Sequence, residues 1–322
     1  MGNRKDWDNA FTGQEPQGKV AHAPSYAGAL SFMRRRYTKD LGGVDVAVTG
    51  VPLDTATSNR PGARFGPRAI RSASVSLAWA RPWPWKVDPL ETLNIIDYGD
   101  CEFDYGEPAS VTPAIVKHID TILESGAATL VLGGDHYVSY PVLQAYAKHH
   151  GPLSLLHFDA HSDTWPDEER KRVDHGTMFY HAAKDGLVDD RRSVQIGLRT
   201  TNDEPLGFNI FDAQDVHAHG PAAIAGAVRE VLGERPVYLT FDIDCLDPAF
   251  APGTGTPVCG GLSSFQALEI LRGLAGINLV GMDVVEVAPA YDVGEITAFA
   301  GASLAAEMLC LYASRPDRAG AA

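Results

Sequence analysis

No uncharged apolar run in this sequence approaches the roughly eighteen residues that a membrane-spanning helix needs. Its opening residues are broken by charges, prolines and glycines where a secretory signal would require an apolar core. Both features predict a soluble, intracellular protein of the cytoplasm. Cysteine is scarce: Cys101, Cys245, Cys259 and Cys310 are widely spaced and form no CxxC, which excludes a disulfide framework and suits a reducing compartment. Basic charge is also short, with 27 lysines and arginines against 41 acidic residues and a net charge of −14. Nucleic acid or an anionic membrane as partner needs a lysine- and arginine-rich face, so neither is expected; a metal or cationic substrate fits better. Internal repeats, low-complexity tracts and linkers rich in Gly, Ser or Pro are missing too.

What is present is a chain of 322 residues, 45% of them hydrophobic, enough for a substantial core. Residues 1–43 show no clean period and read as an N-terminal arm, its Arg34-Arg35-Arg36 cluster as a solvated or subunit-facing stretch. From residue 44 onward short β-branched, apolar runs recur at 44–49, 93–96, 128–132, 153–158, 193–198, 237–241 and 278–282. Runs of this length and composition read as buried strands of a parallel sheet. Helical spacing fills the intervals at 113–123, 138–148, 222–232, 264–274 and 296–311. The alternation predicts one α/β domain over 44–322, a three-layer α/β/α sandwich with a mostly parallel sheet.

Open parallel sheets bind ligands at the carboxyl ends of their strands. Three of the predicted strands end in acidic and histidine clusters: Gly133-Gly134-Asp135-His136, Asp159-Ala160-His161-Ser162-Asp163, and Asp242-Ile243-Asp244 followed by Cys245-Leu246-Asp247-Pro248. Alternate side chains of an extended segment share a face, so Asp159, His161 and Asp163 converge, as do Asp242 and Asp244. A single aspartate after a strand is usually a turn or cap residue, and a single histidine a satisfied core residue. Buried together, these carboxylates would be too costly without cations. His136, Asp159, His161, Asp163, Asp242 and Asp244 are therefore predicted metal ligands. Two bridging aspartates would leave about one histidine and three carboxylates per ion, an oxygen-rich set suited to two Mn²⁺ ions better than to Zn²⁺. A water between two such ions would lose a proton near neutral pH and act as nucleophile. Asp135 and Asp247 read as orienting residues around the ligands.

These three segments resemble the metal signatures of the ureohydrolase family of arginases and agmatinases. The resemblance runs from about Val44 to about Ser314, and VDHGTMFY (173–180), VYLTFDIDCLDPAFAPGTGTPVCGG (237–261) and VGMDVVEVAPAYD (280–292) are similar to bacterial agmatinases. It implies an arginase-like fold, with His136, Asp159, Asp163 and Asp242 on one manganese and His161, Asp159, Asp242 and Asp244 on the other. It further implies proton transfer by His175 and a grip on the substrate guanidinium by Glu286. His175 would otherwise read equally well as a turn histidine before a helix. A carboxylate can hold a planar guanidinium through two parallel bonds, and histidine suits protonation of a leaving amine near neutrality. The expected reaction is hydrolysis of agmatine to putrescine and urea, a step of polyamine biosynthesis, by a homo-oligomer, a trimer or hexamer. The alternative is another guanidino compound, guanidinobutyrate or guanidinopropionate, and less so arginine. A non-catalytic binding protein is the reading from another class; the intact ligand set with His175 and Glu286 counts against it. The 164–174 loop should meet the far end of the substrate, but it carries charges of both signs and does not choose. The Gly62–Pro67 stretch is read as a turn opening a helix and left outside the site.

Overall fold

The computed structural model describes residues 24–169, 174–203 and 206–317. Its centre is an eight-stranded sheet built from β1 (Val46–Val51), β2 (Ile95–Asp100), β3 (Ala128–Gly133), β4 (Ser154–Phe158), β5 (Val194–Ile196), β6 (Asn209–Phe211), β7 (Val237–Asp242) and β8 (Leu279–Val285), in the order β2-β1-β3-β8-β7-β4-β5-β6. Every pairing is parallel. The predicted strands are all present within a few residues; β6 was not foreseen, being three residues long and only half-buried at the edge. Each inner strand sends alternate side chains to opposite faces, as a period of two requires. Leu130 and Leu132 join the core of one face, Val131 that of the other, while Leu156 and Phe158 are likewise opposed to Leu155. Phe158 and Phe241, in register across β4 and β7, stack with ring centroids 4.9 Å apart.

Helices cover both faces. The one spanning Ile296–Ala313 is long and apolar enough to cross a membrane, but 78% of it is buried inside the fold. Its single acid, Glu307, accepts from Arg272 at 2.6 Å and from the Trp85 indole. The helix predicted at 113–123 begins earlier, at Pro108, and accommodates Pro113 within it.

One part of the arm departs from expectation. Arg34 is not solvated but fully buried: its guanidinium donates to Pro24 O at 2.9 Å and to Ala27 O, and lies 5.7 Å from the Trp79 ring. The flanking Phe32 and Met33 are core residues, and Phe32 N–H donates to Asp97 Oδ2 at 2.8 Å. Asp97 is itself held by Arg71 at 2.8 and 3.0 Å. A charge this deep needs such partners. Arm residues 1–23 lie outside the described residues.

Behind β1, His118 donates through Nε2 to Thr49 Oγ1 at 2.7 Å, since the threonine hydroxyl is itself donated to Gly99 O. Burial, aided by Lys39, depresses the His118 pKa from 6.5 to about 4. The unfolded chain therefore takes up this proton first, so stability is lost as pH falls from about 6.5 towards about 4, by at most about 3 kcal/mol. Urea denaturation across that window should show a shallower acid loss in His118→Gln than in the wild type; equal slopes would remove His118 as the cause.

Candidate metal centre

Strands β3, β8, β7 and β4 are consecutive in the sheet although far apart in sequence. The chain leaves β3 and returns as β4 three positions further on, and β8 and β7 later fill the gap between them. Such a reversal is where an open α/β sheet gathers a ligand site. The ends of these four strands bring together His136, the Asp159–Asp163 segment, Asp242 with Asp244, and Glu286.

Three carboxylates crowd one histidine nitrogen. His136 Nδ1 lies 3.0 Å from Asp159 Oδ2, 3.1 Å from Asp163 Oδ2 and 3.2 Å from Asp242 Oδ2, yet has no hydrogen-bond geometry with any of them. A second group forms around His161 Nδ1, 3.2 Å from Asp244 Oδ2 and 3.4 Å from Asp159 Oδ1. Asp159 thus offers one oxygen to each group. Asp242 offers Oδ2 to the first, while its Oδ1 accepts the Asp244 N–H at 2.8 Å. All six predicted ligands meet here, and only His161 is substantially exposed. Burial raises the pKa of Asp242 and of Asp244, and their charged neighbours add to the rise. Burial opposes the charge of Asp159 as well, but His157, His136 and His161 hold its pKa well below the usual carboxylate range. For His136, burial works against a proton while the surrounding carboxylates raise its pKa well above normal. An orphaned, buried nitrogen facing three mutually repelling carboxylates fits a divalent cation, which relieves all of these strains at once. Asp163 also sits at φ +52°, a left-handed backbone conformation that a non-glycine residue adopts at a cost and that clusters at functional sites.

Residues not foreseen from the sequence orient these ligands. Gln195 Nε2 donates to His157 Nδ1 at 3.0 Å, so His157 donates through Nε2 to Asp159 Oδ2 at 2.7 Å. On the other side His136 Nε2 meets Thr240 Oγ1 at 2.8 Å. Thr240 in turn bonds Asp283, a buried carboxylate that also accepts from Ser139 and Tyr238 at 2.8 Å each. This chain fixes the His136 tautomer with Nδ1 free for a metal. Signals existed: His157 extends the 159-161-163 alternation by one step, and Asp283 interrupts an apolar strand. Thr240→Val keeps the shape and removes the hydroxyl, and should weaken metal affinity about 10- to 100-fold. Titration calorimetry with Mn²⁺ checks this; unchanged affinity would make Thr240 merely structural. Asp135 and Asp247, expected to orient ligands, instead tie down loops. Asp135 Oδ2 accepts from Ala56 N–H at 2.9 Å, and Asp247 accepts from the main chain of residues 249, 260 and 261.

A cavity of about 260 Å³ opens over His161, Asp163 and Asp242, with Ser58, Trp165, Asp174 and His175 on its walls. Of the 164–174 loop, Trp165 and Asp174 thus reach it, whereas Asp167 turns to His181 at 3.2 Å and residues 170–173 lie outside the described ones. His175, in the turn before the helix Met178–Lys184, is 2.9 Å through Nδ1 from Glu286 Oε1. The same oxygen accepts the His136 N–H at 2.9 Å. Burial lowers the His175 pKa, but Glu286 outweighs it and lifts the pKa to about 9. Glu286 is fully buried at φ +63°, and its Oε2 has no hydrogen-bond partner. A Cβ on Gly255 would stand 3.3 Å from that oxygen, so glycine there leaves the space beside it open.

The arginase family model matches residues 44–310. The chain belongs to the arginase family. Among arginase-family relatives, the agmatinase of Chromobacterium violaceum is 57% identical over 292 residues, covering 90% of this chain and 91% of that protein. A solved structure of a hypothetical agmatinase from Burkholderia thailandensis superposes with a TM-score of 0.91 at 59% identity, over 95% of this chain and 97% of that one. The proclavaminate amidino hydrolase of Streptomyces clavuligerus superposes with a TM-score of 0.85 at 39% identity, covering 91% and 99%. The arginase-family fold expected from the sequence is the fold observed.

Proposed function

We propose that this arginase-family chain is an agmatinase, hydrolysing agmatine to putrescine and urea with two Mn²⁺ ions. The observation that carries the reading is the paired His/Asp groups sharing Asp159 at the floor of a cavity walled by His175. Similarity to agmatinases over most of the chain supports the choice of substrate.

His136, Asp159, Asp163 and Asp242 would hold one ion, and His161, Asp159, Asp242 and Asp244 the other. Two divalent cations, when bound, balance four carboxylates and acidify a water held between them. The remaining work falls to the chain. Glu286 Oε2, a buried acceptor without a partner, takes the N–H donors of the planar guanidinium and sets its carbon over the cavity floor. His175 collects a proton as the water oxygen bonds to that carbon, and returns one to the amine as the C–N bond breaks. Its Glu286 partner favours the charged form needed between those two events. On the wall, the Asp174 carboxylate suits the cationic tail of agmatine and opposes the carboxylate tail of a guanidino acid.

The same reading makes the chain a cytoplasmic enzyme of polyamine biosynthesis and a closed homo-oligomer. Large apolar side chains left exposed at Phe250, Ile296 and Phe299 around one groove support association. Light scattering at micromolar concentration should give a trimeric or hexameric mass, and a monomer would refute it. For the activity, urea release is measured over a panel of agmatine, arginine, guanidinobutyrate and guanidinopropionate. Agmatine should give the highest kcat/KM, with activity lost to a chelator and restored by Mn²⁺. Preference for a guanidino acid would overturn the substrate, and no urea from any compound would overturn the reaction.

A further inference from the structure

The loop after β1 carries none of the metal ligands, and its glycine- and proline-rich sequence reads as a turn. The structure nevertheless brings Ser58 to His175 across 117 positions: its main-chain N–H donates to Nε2 at 3.0 Å, and its Oγ lies 2.8 Å from the same nitrogen. This placement is built on both sides. Ala56 N–H is held by Asp135 Oδ2 at 2.9 Å, and Asn59 Nδ2 donates to Gly255 O at 3.1 Å, beside Glu286 Oε2.

A main-chain N–H can only donate, so Nε2 is the unprotonated nitrogen in this arrangement and Nδ1 carries the hydrogen given to Glu286. The ring is clamped at both nitrogens in one tautomer. A hydroxyl differs from an N–H in that it donates and accepts at once. When Nε2 takes a proton, the Ser58 N–H loses its acceptor while Oγ can turn and accept. Ser58 also stands on the wall of the same cavity as His175.

We propose that Ser58 passes the proton of this reaction: its N–H holds His175 with Nε2 as the base, and its Oγ conveys the proton from Nε2 to the leaving amine. The inference rests on the proposed hydrolysis. In the step, His175 Nε2–H gives its proton to Ser58 Oγ as the Ser58 O–H proton moves to the amine lone pair. His175 ends neutral, the amine ends protonated and Ser58 is unchanged. Facing His175 are the carboxylates of Glu286, Asp163 and Asp135, which all favour a retained proton. Burial opposes them, and the Ser58 N–H, aimed at the unprotonated Nε2, works on the same side as burial.

The test compares Ser58→Ala and Ser58→Thr in the Mn²⁺-loaded enzyme. Ser58→Ala should keep two ions per chain and a KM within about twofold, lose about 10- to 100-fold in kcat, and change the solvent isotope effect. Ser58→Thr, which keeps the hydroxyl, should recover most of the rate. A wild-type kcat in Ser58→Ala, or equal losses in both variants, overturns the proposal. A readout independent of turnover is the ¹⁵N spectrum of His175 with diamagnetic Mg²⁺ in place of Mn²⁺. Above the His175 pKa of about 9, where the ring is neutral, an unprotonated Nε2 is expected, and a hydrogen on Nε2 overturns the clamp. Wild-type protein that releases no urea from any guanidino compound removes the hydrolysis and the relay together, whatever the tautomer.

Discussion

Asp159→Ala should cost the protein both metal ions and its activity in a single step. Asp159 gives Oδ2 to the His136 group and Oδ1 to the His161 group, so its loss opens both at once. Asp242→Ala should have a similar effect on metal, by removing a carboxylate 3.2 Å from His136 Nδ1. The expected fall in kcat/KM is at least about 1,000-fold, equivalent to about 4 kcal/mol. The two variants separate in the metal-free state. Asp159 is favourably charged among three histidines, whereas burial and the charges of Asp244 and Asp159 push the Asp242 pKa well above normal. Asp242→Ala therefore relieves repulsion, and the metal-free variant should melt no lower than the metal-free wild type. Adding Mn²⁺ at a hundred times Kd should stabilise the wild type by about 2.7 kcal/mol per site and the variant far less. Metal analysis by mass spectrometry decides the matter. Two ions retained in Asp159→Ala, or full activity in chelator-stripped wild type, would end the two-metal reading.

The central strands are legible because burial on both faces forces uncharged, mostly apolar and β-branched runs such as 128–132 and 237–241. β6 left no such run: Asn209–Phe211 is short, and the outermost position of the sheet buries it only in part. Pro113 misdirected the start of its helix, because a proline reads as a first-turn residue while here Pro108 fills that place. The order β3-β8-β7-β4 leaves no local trace at all, since each neighbour is chosen by packing over long stretches of chain.

The site divides along the same physical line. His136, Asp159, His161, Asp163, Asp242 and Asp244 announce themselves through alternation at strand ends. Three adjacent arginines look solvated in sequence, whereas the carbonyls of Pro24 and Ala27 and the Trp79 ring help make burial of Arg34 tolerable. Thr240, Asp283 and Ser58 matter through partners on other strands and loops, and a lone hydroxyl in a sequence does not say what it will touch. The pairing of His175 with Glu286 spans 111 positions and is invisible without the fold.

That pairing sharpens what Glu286→Gln should do. The variant keeps an oxygen for the His136 N–H and the His175 Nδ1–H, so the turn that carries His136 stays in place and both ions should remain bound. What changes is the outer atom: an amide N–H₂ facing a guanidinium opposes donor to donor where Oε2 had offered an acceptor. Losing one partner of a desolvated, charge-assisted pair costs on the order of 2–5 kcal/mol, or roughly thirty- to several-thousand-fold in kcat/KM. A second effect separates this role from a structural one. The Glu286 charge is what lifts His175 to a pKa of about 9 against its burial, so the neutral amide should lower the pH limb that His175 sets in the rate profile. Metal content falling in step with activity would make Glu286 a support of the centre. Activity near wild type with agmatine would mean that the guanidinium is gripped elsewhere, and Oε2 would then need another reason to lie buried without a partner.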